Sequence, residues 1–496
     1  MPFVQNFPFI SIILSMFIGV ICAVLKPKLA RNITLINLSI IGILSIVTLN
    51  YTIQTGQAYV YMMGHFPAPF GNEIRFGTLE TLMATMFSVV MLLSICGGMK
   101  HIFHDIEDTK VNLYFMMLNL LFSSMLALIY TNDLFTAYVF VEINTLASCA
   151  IVMIKRAKET LVATVRYLIM SLLGSGLFLI GICILYDITG HLLMSYIKSS
   201  VAILFASGEY FFPLEMIICL FIIGLAIKSA LYPFHSWLPD AHGSSTSASS
   251  SILSGLVLKG YIILLIKIIY RVIGFEVIYQ TKAINVLFIL GLLAMVMGSM
   301  NALKEKDIKR MVAYSSVAQI GYIYMGIGIG NTLGMVAACF HIISHAITKP
   351  MLFSAAGGFM EVSNGSKKFS EIRGAGRRNL LAGIAFVVGT LSMIGIPLTA
   401  GFVSKLCFAN AALTASSRTI PTLLVLSIST LLNALYYIPA MMNLFANTND
   451  KLTLVPDKKD YAFIISMVVF IILNFVVGLN YTNLTALIAQ GLSVLG

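Results

Sequence analysis

The sequence predicts an all-α polytopic membrane protein with about fourteen transmembrane helices. Three observations carry that prediction. The 496 residues are 59% hydrophobic and only 10% charged, against roughly a quarter charged in an average soluble domain. The apolar residues form long blocks rather than the short amphipathic periods of a soluble core. The basic residues that remain gather in alternate connections between blocks.

A helix needs about 20 mainly apolar residues to cross the hydrocarbon. The first block, ISIILSMFIGVICAVL from Ile10 to Leu25, lies in an expected span 7–25. It has no positively charged leader and no A-x-A-like cleavage site, and further spans follow at once, so it is expected to be retained. The next spans are 34–51, then 78–97 with TLMATMFSVVMLLSIC, 112–130, 133–154, 162–186 and 212–234. After them come 249–270, 283–303, 311–329, 331–353, 380–409, 420–444 and 461–484, the last holding IISMVVFIILNFVVG. Of the 31 Lys and Arg, six fall inside these spans and 25 between them: 20 follow odd-numbered spans and 5 follow even-numbered ones. The positive-inside rule then puts the first set in the cytoplasm and both termini outside, in a multi-pass protein of the cell membrane.

The connections are short, and neither a G-x-x-x-x-G-K-[ST] loop nor a strand-linked G-x-G-x-x-G occurs. An ATP-driven pump housed in this one chain is therefore excluded; the energy comes from an ion gradient or from another subunit. The formal net charge of +11 is dispersed in small clusters, which argues against a nucleic-acid face. Cys22, Cys96, Cys149, Cys183, Cys219, Cys339 and Cys407 lie in or beside apolar blocks with no C-x-x-C spacing. They read as small hydrophobes, with no iron-sulfur signature, no metal site and no cofactor expected in the chain.

Charge in hydrocarbon is costly, so each ionisable residue inside a span needs a partner, a water-filled cavity or a function. Glu142 is central in its span, too deep for its short side chain to reach the surface. A carboxyl held between burial and a nearby amine changes protonation at accessible cost, which suits a proton relay. Lys228 follows FIIGLAI and precedes SALYPFHSWLPDAH, where Pro233 interrupts the helix; broken helices inside membranes create hydrated ion sites. His235 and Asp240 follow in that distorted connection. Lys259 sits in GLVLKGYIILLIK with apolar residues on either side, whereas Lys267, nearer the span end, is expected to snorkel.

In CFHIISHAITKPMLF, His341, His345 and Lys349 are four residues apart and so neighbour one another on one helix. Imidazole donates at one nitrogen while accepting at the other, which suits proton transfer through water. Lys405 lies in GIPLTAGFVSKLCF, where Gly395, Pro397 and Gly401 predict a second broken helix. Arg166 is close enough to a span end to reach the surface. Trp237, the only tryptophan, reads as an anchor. Lys228 and Lys405 each sit in a Pro-interrupted span, a symmetry expected of an inverted repeat. The division is then 1–111 for three N-terminal helices, 112–271 and 282–445 for two five-helix repeats, and 446–496 for the C-terminal helix.

With these residues in place the chain resembles the antiporter-like membrane subunits shared by Mrp-type cation/proton antiporters, respiratory complex I and membrane-bound hydrogenases. The resemblance rests on FVEINTLASC, IKSALYPFHSWLPDAH, LVLKGY, KDIKRMVAYSSVAQIGY, FHIISHAITKPMLF and IGIPLTAGFVSKL. It implies fourteen helices with two inverted five-helix repeats containing broken helices. It implies a Glu142/Lys228 pair, a central proton-transfer lysine at Lys259, relay histidines at His341 and His345, and a terminal site at Lys405. The segment GHFPAPFG from Gly64 to Gly71 looks like that of the D-type members of the Mrp antiporters. Such a protein has no redox centre. It works beside other integral membrane subunits, either exchanging Na+ or another cation for protons or pumping ions for an NADH-quinone oxidoreductase or hydrogenase.

Overall fold

The computed structural model describes residues 3–67, 71–155, 157–447 and 460–496. Arg156, Lys451, Lys458 and Lys459 of the charge count, and residues 68–70 of the GHFPAPFG segment, lie outside it. The helices begin with α1 (Phe7–Val24), α2 (Pro27–Thr55), α3 (Thr78–Gly97), the short α4 (Met99–Asp105), α5 (Val111–Tyr130), α6 (Leu134–Met153) and α7 (Lys158–Thr189). There follow α8 (Met194–Ser207), α9 (Phe211–Lys228), α10 (Trp237–Ser244), α11 (Ser247–Ile273), α12 (Phe275–Gln280), α13 (Ala283–Lys304) and α14 (Ile308–Gly328). The last are α15 (Thr332–Glu361), α16 (Ala375–Arg378), α17 (Leu380–Ile394), α18 (Ala400–Leu413), α19 (Thr419–Leu444), α20 (Tyr461–Leu479) and α21 (Tyr481–Leu495).

Twelve of these are long and apolar enough to cross a membrane, among the described residues: α1, α2, α3, α5, α6, α7, α9, α11, α13, α15, α19 and α20. The predicted crossing at 311–329 falls on α14, a helix of 21 residues that opens on Lys309 and Arg310. The one at 380–409 falls on α17 and α18, each too short alone. The predicted span 461–484 ends earlier, at Leu479, and α21 folds back as a separate helix against α3.

In α11 and α15 the most apolar stretch is buried along its whole length, so these two helices form the centre of the bundle. Around them α1, α2, α7, α19 and α20 turn Phe17, Ile43, Ile169, Leu431 and Ile465 outward, the surface a bilayer solvates. The ionisable residues of α11 and α15 thus face protein rather than lipid, where their cost is lowest. Small residues bring neighbouring helices into close contact: a Cβ on Gly291 of α13 would lie 2.4 Å from the Met325 backbone nitrogen of α14.

Both expected breaks are present. Helix α9 stops at Lys228, Ala230 takes a left-handed φ of 57°, and helix resumes at Trp237. Between α17 and α18, Gly395 and Leu398 have φ of 91° and 74°. Gly395 is required twice, for its φ and because a Cβ would lie 2.9 Å from the Lys405 side chain. Trp237 is not a surface anchor. It is fully buried, stacked on Tyr167 at 4.2 Å, because α10 tucks into the bundle against α7 and α14.

Two features had no sequence signal. Antiparallel strands β1 (Tyr59–Met62) and β2 (Glu73–Phe76) form a hairpin beside the start of α3. From β2, Arg75 donates to the carbonyls of Val494 (2.5 Å) and Leu495 (3.1 Å), tying the end of α21 to the hairpin. Helix α11 also contains two π-helical stretches, Leu253–Val257 and Ile269–Ile273.

Candidate functional site

Helix α6 carries Glu142 and α9 ends in Lys228, and packing of both helices against α7 brings the two side chains together. Lys228 Nζ lies 3.6 Å from Glu142 Oε1 and donates to Thr145 Oγ1 at 2.6 Å. Thr145 is one turn after Glu142, so a single face of α6 offers the amine both a charge and a hydroxyl. Glu142 Oε1 has no hydrogen-bond donor, which marks a place for water. The Lys228 ammonium also lies 5.6 Å from the ring centre of Tyr261, whose hydroxyl donates to Asn144 Oδ1 at 2.9 Å. Lys228 is 1% exposed and Glu142 23%.

Two residues before Tyr261 on α11 is Lys259, fully buried, with no carboxylate paired to it among the described residues. Its Nζ donates to the Ser254 carbonyl five residues back. Ser254 sits in the first π-helical stretch, where the backbone ladder shifts from four-residue to five-residue bonds and presents that carbonyl to the amine. From Lys259 the row passes into α15, whose His341, His345 and Lys349 all lie within electrostatic range of it.

His345 is fully buried with both ring nitrogens unpartnered, and its ring centre is 6.0 Å from that of His341. His341 Nδ1 is 2.6 Å from Ser404 Oγ of α18, its Nε2 is unpartnered, and its ring stacks on Tyr322 at 5.4 Å. Buried imidazole nitrogens without protein partners require water, since leaving them unbonded costs about 1–3 kcal/mol each. Lys349 donates to the Val312 carbonyl at 2.9 Å, to Ser315 Oγ and to Tyr437 OH at 3.3 Å, a cage of neutral oxygens.

Lys405 is one residue beyond Ser404. Its Nζ reaches back across the break to the Ile394 carbonyl, the last of α17, at 2.5 Å, and to Thr430 Oγ1 of α19 at 2.9 Å. A helix end leaves carbonyls without intrahelical partners, so the break itself makes the amine's site. The Tyr322 ring that stacks on His341 also lies 5.7 Å from this ammonium. Lys405 opens on a cleft of about 620 Å³ between α18 and α19, shared with Gly395, Phe402, Leu423 and Thr430.

The remaining candidates stand apart. Lys267 does not snorkel; it is 1% exposed and donates to the carbonyls of Leu128 (3.2 Å), Ile129 (2.7 Å) and Thr131 (2.6 Å). Those are the open carbonyls at the end of α5, so Lys267 is a helix cap. Arg166 does reach the surface, where its Nη1 meets Asp240 Oδ2 at 2.6 Å; Arg310 Nη1 meets the other carboxylate oxygen, also at 2.6 Å. His235 lies near Asn301 Nδ2, at 3.4 Å, outside the buried row.

Several groups at the site were missed from sequence: Thr145, Tyr261, Tyr322, Ser404 and Thr430. Only helical spacing hinted at any of them, Thr145 at one turn from Glu142. Among the described residues no cluster of three or more His, Cys, Asp or Glu is placed to hold a metal.

Comparison with known proteins follows the same lines. The family model described as NADH:quinone oxidoreductase/Mrp antiporter, TM, matches residues 131–433. NADH-quinone oxidoreductase subunit N of Desulforudis audaxviator (strain MP104C) is 32% identical over 403 residues, covering 80% of this chain and 78% of that one. Putative antiporter subunit mnhD2 of Staphylococcus aureus (strain Newman) is 27% identical over 410 residues, 81% and 79% of the two chains. Among solved structures, a chain of the archaeal membrane-bound sulfane sulfur reductase superposes with a TM-score of 0.86 at 24% identity, covering 99% of this chain and 96% of its own. A chain of the Mrp complex from Dietzia sp. DQ12-45-1b does so with 0.86 at 22%, covering 100% and 98%.

Proposed function

The chain belongs to the NADH:quinone oxidoreductase/Mrp antiporter family, and from that premise we propose that it is the proton-translocating subunit of a multisubunit membrane complex. The observation that carries this reading is the composition of the buried row. Four lysines and two histidines on α9, α11, α15 and α18 share one adjacent carboxylate, Glu142. Fixed, unpaired ammonium charges in a membrane interior are costly. Groups that release and regain protons through water escape that cost.

In this reading Glu142 and Lys228 form the charge pair whose opening shifts the proton affinity of Lys259. His341 and His345 carry the proton onward, and Lys405 holds it at the cleft between α18 and α19. Coupled groups of this kind titrate as a set. With α14 and the α17–α18 pair as crossings, the helices make fourteen, in two five-helix repeats over 112–271 and 282–445, with 1–111 and 446–496 outside them. The basic connections face the cytoplasm, the termini face outward, and the membrane is the cell membrane. The chemistry needs no cofactor in this chain.

The primary reading is Mrp-type antiport, proton entry driving extrusion of Na+ or another monovalent cation. The second, supported by the relative named as NADH-quinone oxidoreductase subunit N, is ion pumping driven by electron transfer in another subunit. Purification of the intact complex in mild detergent, with mass spectrometry of every subunit, separates them. Small membrane subunits alone support the antiporter; flavin, iron-sulfur or hydrogenase subunits support the redox-driven pump. A chain that purifies without partners overturns both.

A further inference from the structure

The four-residue spacing that aligns His341, His345 and Lys349 on α15 does not stop at Lys349. It continues through Phe353 and Gly357 to Glu361, the last residue of the helix. Residues four apart are surface neighbours, with Cβ atoms about 5–6 Å apart. At each of these levels another element supplies a polar group.

Beside Phe353 lies His242 of α10, its ring stacked at 4.7 Å, fully buried and with both nitrogens unpartnered among the described residues. At Gly357 there is no side chain. A Cβ built there would lie 2.9 Å from His101 Nε2 and 2.6 Å from Ser247 Oγ, so those two atoms are separated by no more than about 5.5 Å, the sum of the two distances. Ser247 Oγ is buried and unpartnered as well. One water bridging two polar atoms spans about 5.6 Å, two hydrogen bonds of about 2.8 Å each. At the next level Glu361 Oε1 lies 3.6 Å from His101 Nε2, and Glu361 Oε2 lies 3.6 Å from Lys100 Nζ. These residues line a cleft of about 700 Å³ with His104, Asp105 and Lys155.

We propose that Gly357 is a water port, its missing side chain keeping open the passage by which protons move between the Glu361/His101 cleft and the buried row, through Ser247 and His242 to Lys349. The inference rests on the proton-translocating reading above. Each hop moves one proton from a donor to an acceptor, and no other bond changes. His101 is placed for this between the cleft and the port. Burial pushes it down to about 4 although Asp105 is close, so at neutral pH it is uncharged with one nitrogen free to accept. The groups facing it are Asp105, His104, Lys309 and Glu361.

The test is proton uptake by the assembled complex in sealed vesicles, read with a pH-sensitive dye, with native electrophoresis to check assembly. Gly357→Ala, Gly357→Ser, His101→Leu and Glu142→Gln are compared. Gly357→Ala is expected to assemble and slow uptake about tenfold or more, and His101→Leu likewise. Gly357→Ser has the same Cβ and adds a hydroxyl that itself passes protons, so it is expected within about threefold of wild type. Equal losses in Ala and Ser mean a packing defect and overturn the port. Wild-type uptake in Gly357→Ala or His101→Leu overturns it too; if Glu142→Gln is inactive in the same assay, the proposed function stands without the port. Activity in all four variants removes the proposed function itself. Should the Gly357 variants fail to assemble, His101→Leu decides: slowed uptake upholds the port and unchanged uptake overturns it.

Discussion

The ammonium of Lys228 is held more closely by the hydroxyl of Thr145, at 2.6 Å, than by the carboxylate of Glu142, at 3.6 Å. Glu142 and Lys228 therefore form an open pair, with the threonine as the third member that keeps it open. A carboxylate in this position gains a proton without first breaking a tight ion pair.

Glu142→Gln preserves the shape of the side chain and removes its exchangeable charge. Ion transport is expected to be lost while the complex assembles normally, as followed by vesicle flux and native electrophoresis. Retained transport defeats the coupling role of Glu142.

Thr145→Val removes the hydroxyl without changing volume. Lys228 is then expected to close onto Glu142, slowing transport about tenfold through a tighter pair. Flux at the wild-type rate would show that Thr145 only packs.

Lys405 separates charge from proton exchange. Lys405→Ala is expected to abolish flux, and Lys405→Arg to do nearly the same, because guanidinium keeps its proton. Wild-type flux in the arginine variant would leave Lys405 a fixed charge rather than a relay.

Lys267→Met is the control for a buried lysine outside the row. It uncaps three carbonyls at the end of α5, which is expected to cost about 2 kcal/mol of stability and lower the unfolding temperature. Flux per assembled complex should be unchanged, and a selective loss of flux with normal thermal stability would return Lys267 to the relay.

Much of the fold was legible because a bilayer imposes length and hydropathy on each crossing, and twelve blocks carry that signal unaided. The breaks were legible from Pro233 and Pro397, though α9 stops five residues ahead of its proline, at the amine itself. The ionisable residues of the site announced themselves by being in apolar blocks. Their hydroxyl and aromatic partners did not. Thr145, Tyr261, Ser404 and Thr430 are ordinary residues for a membrane helix, and only tertiary packing selects them. The same limit explains Lys267: its distance from the span end was readable, but not that α5 ends against it and blocks its way to the surface.

The π-helical turn of α11 that offers the Ser254 carbonyl to Lys259 has a mechanical consequence. A π turn stores about one residue more than the α turns on either side. Rewinding it to α geometry would rotate everything beyond it by about 100°, like advancing a gear by one tooth. The aim of Lys259 is therefore set by the winding of its helix and not by its side-chain rotamer alone. A change of winding would disengage Lys259 and Tyr261 together, because both ride on the same segment.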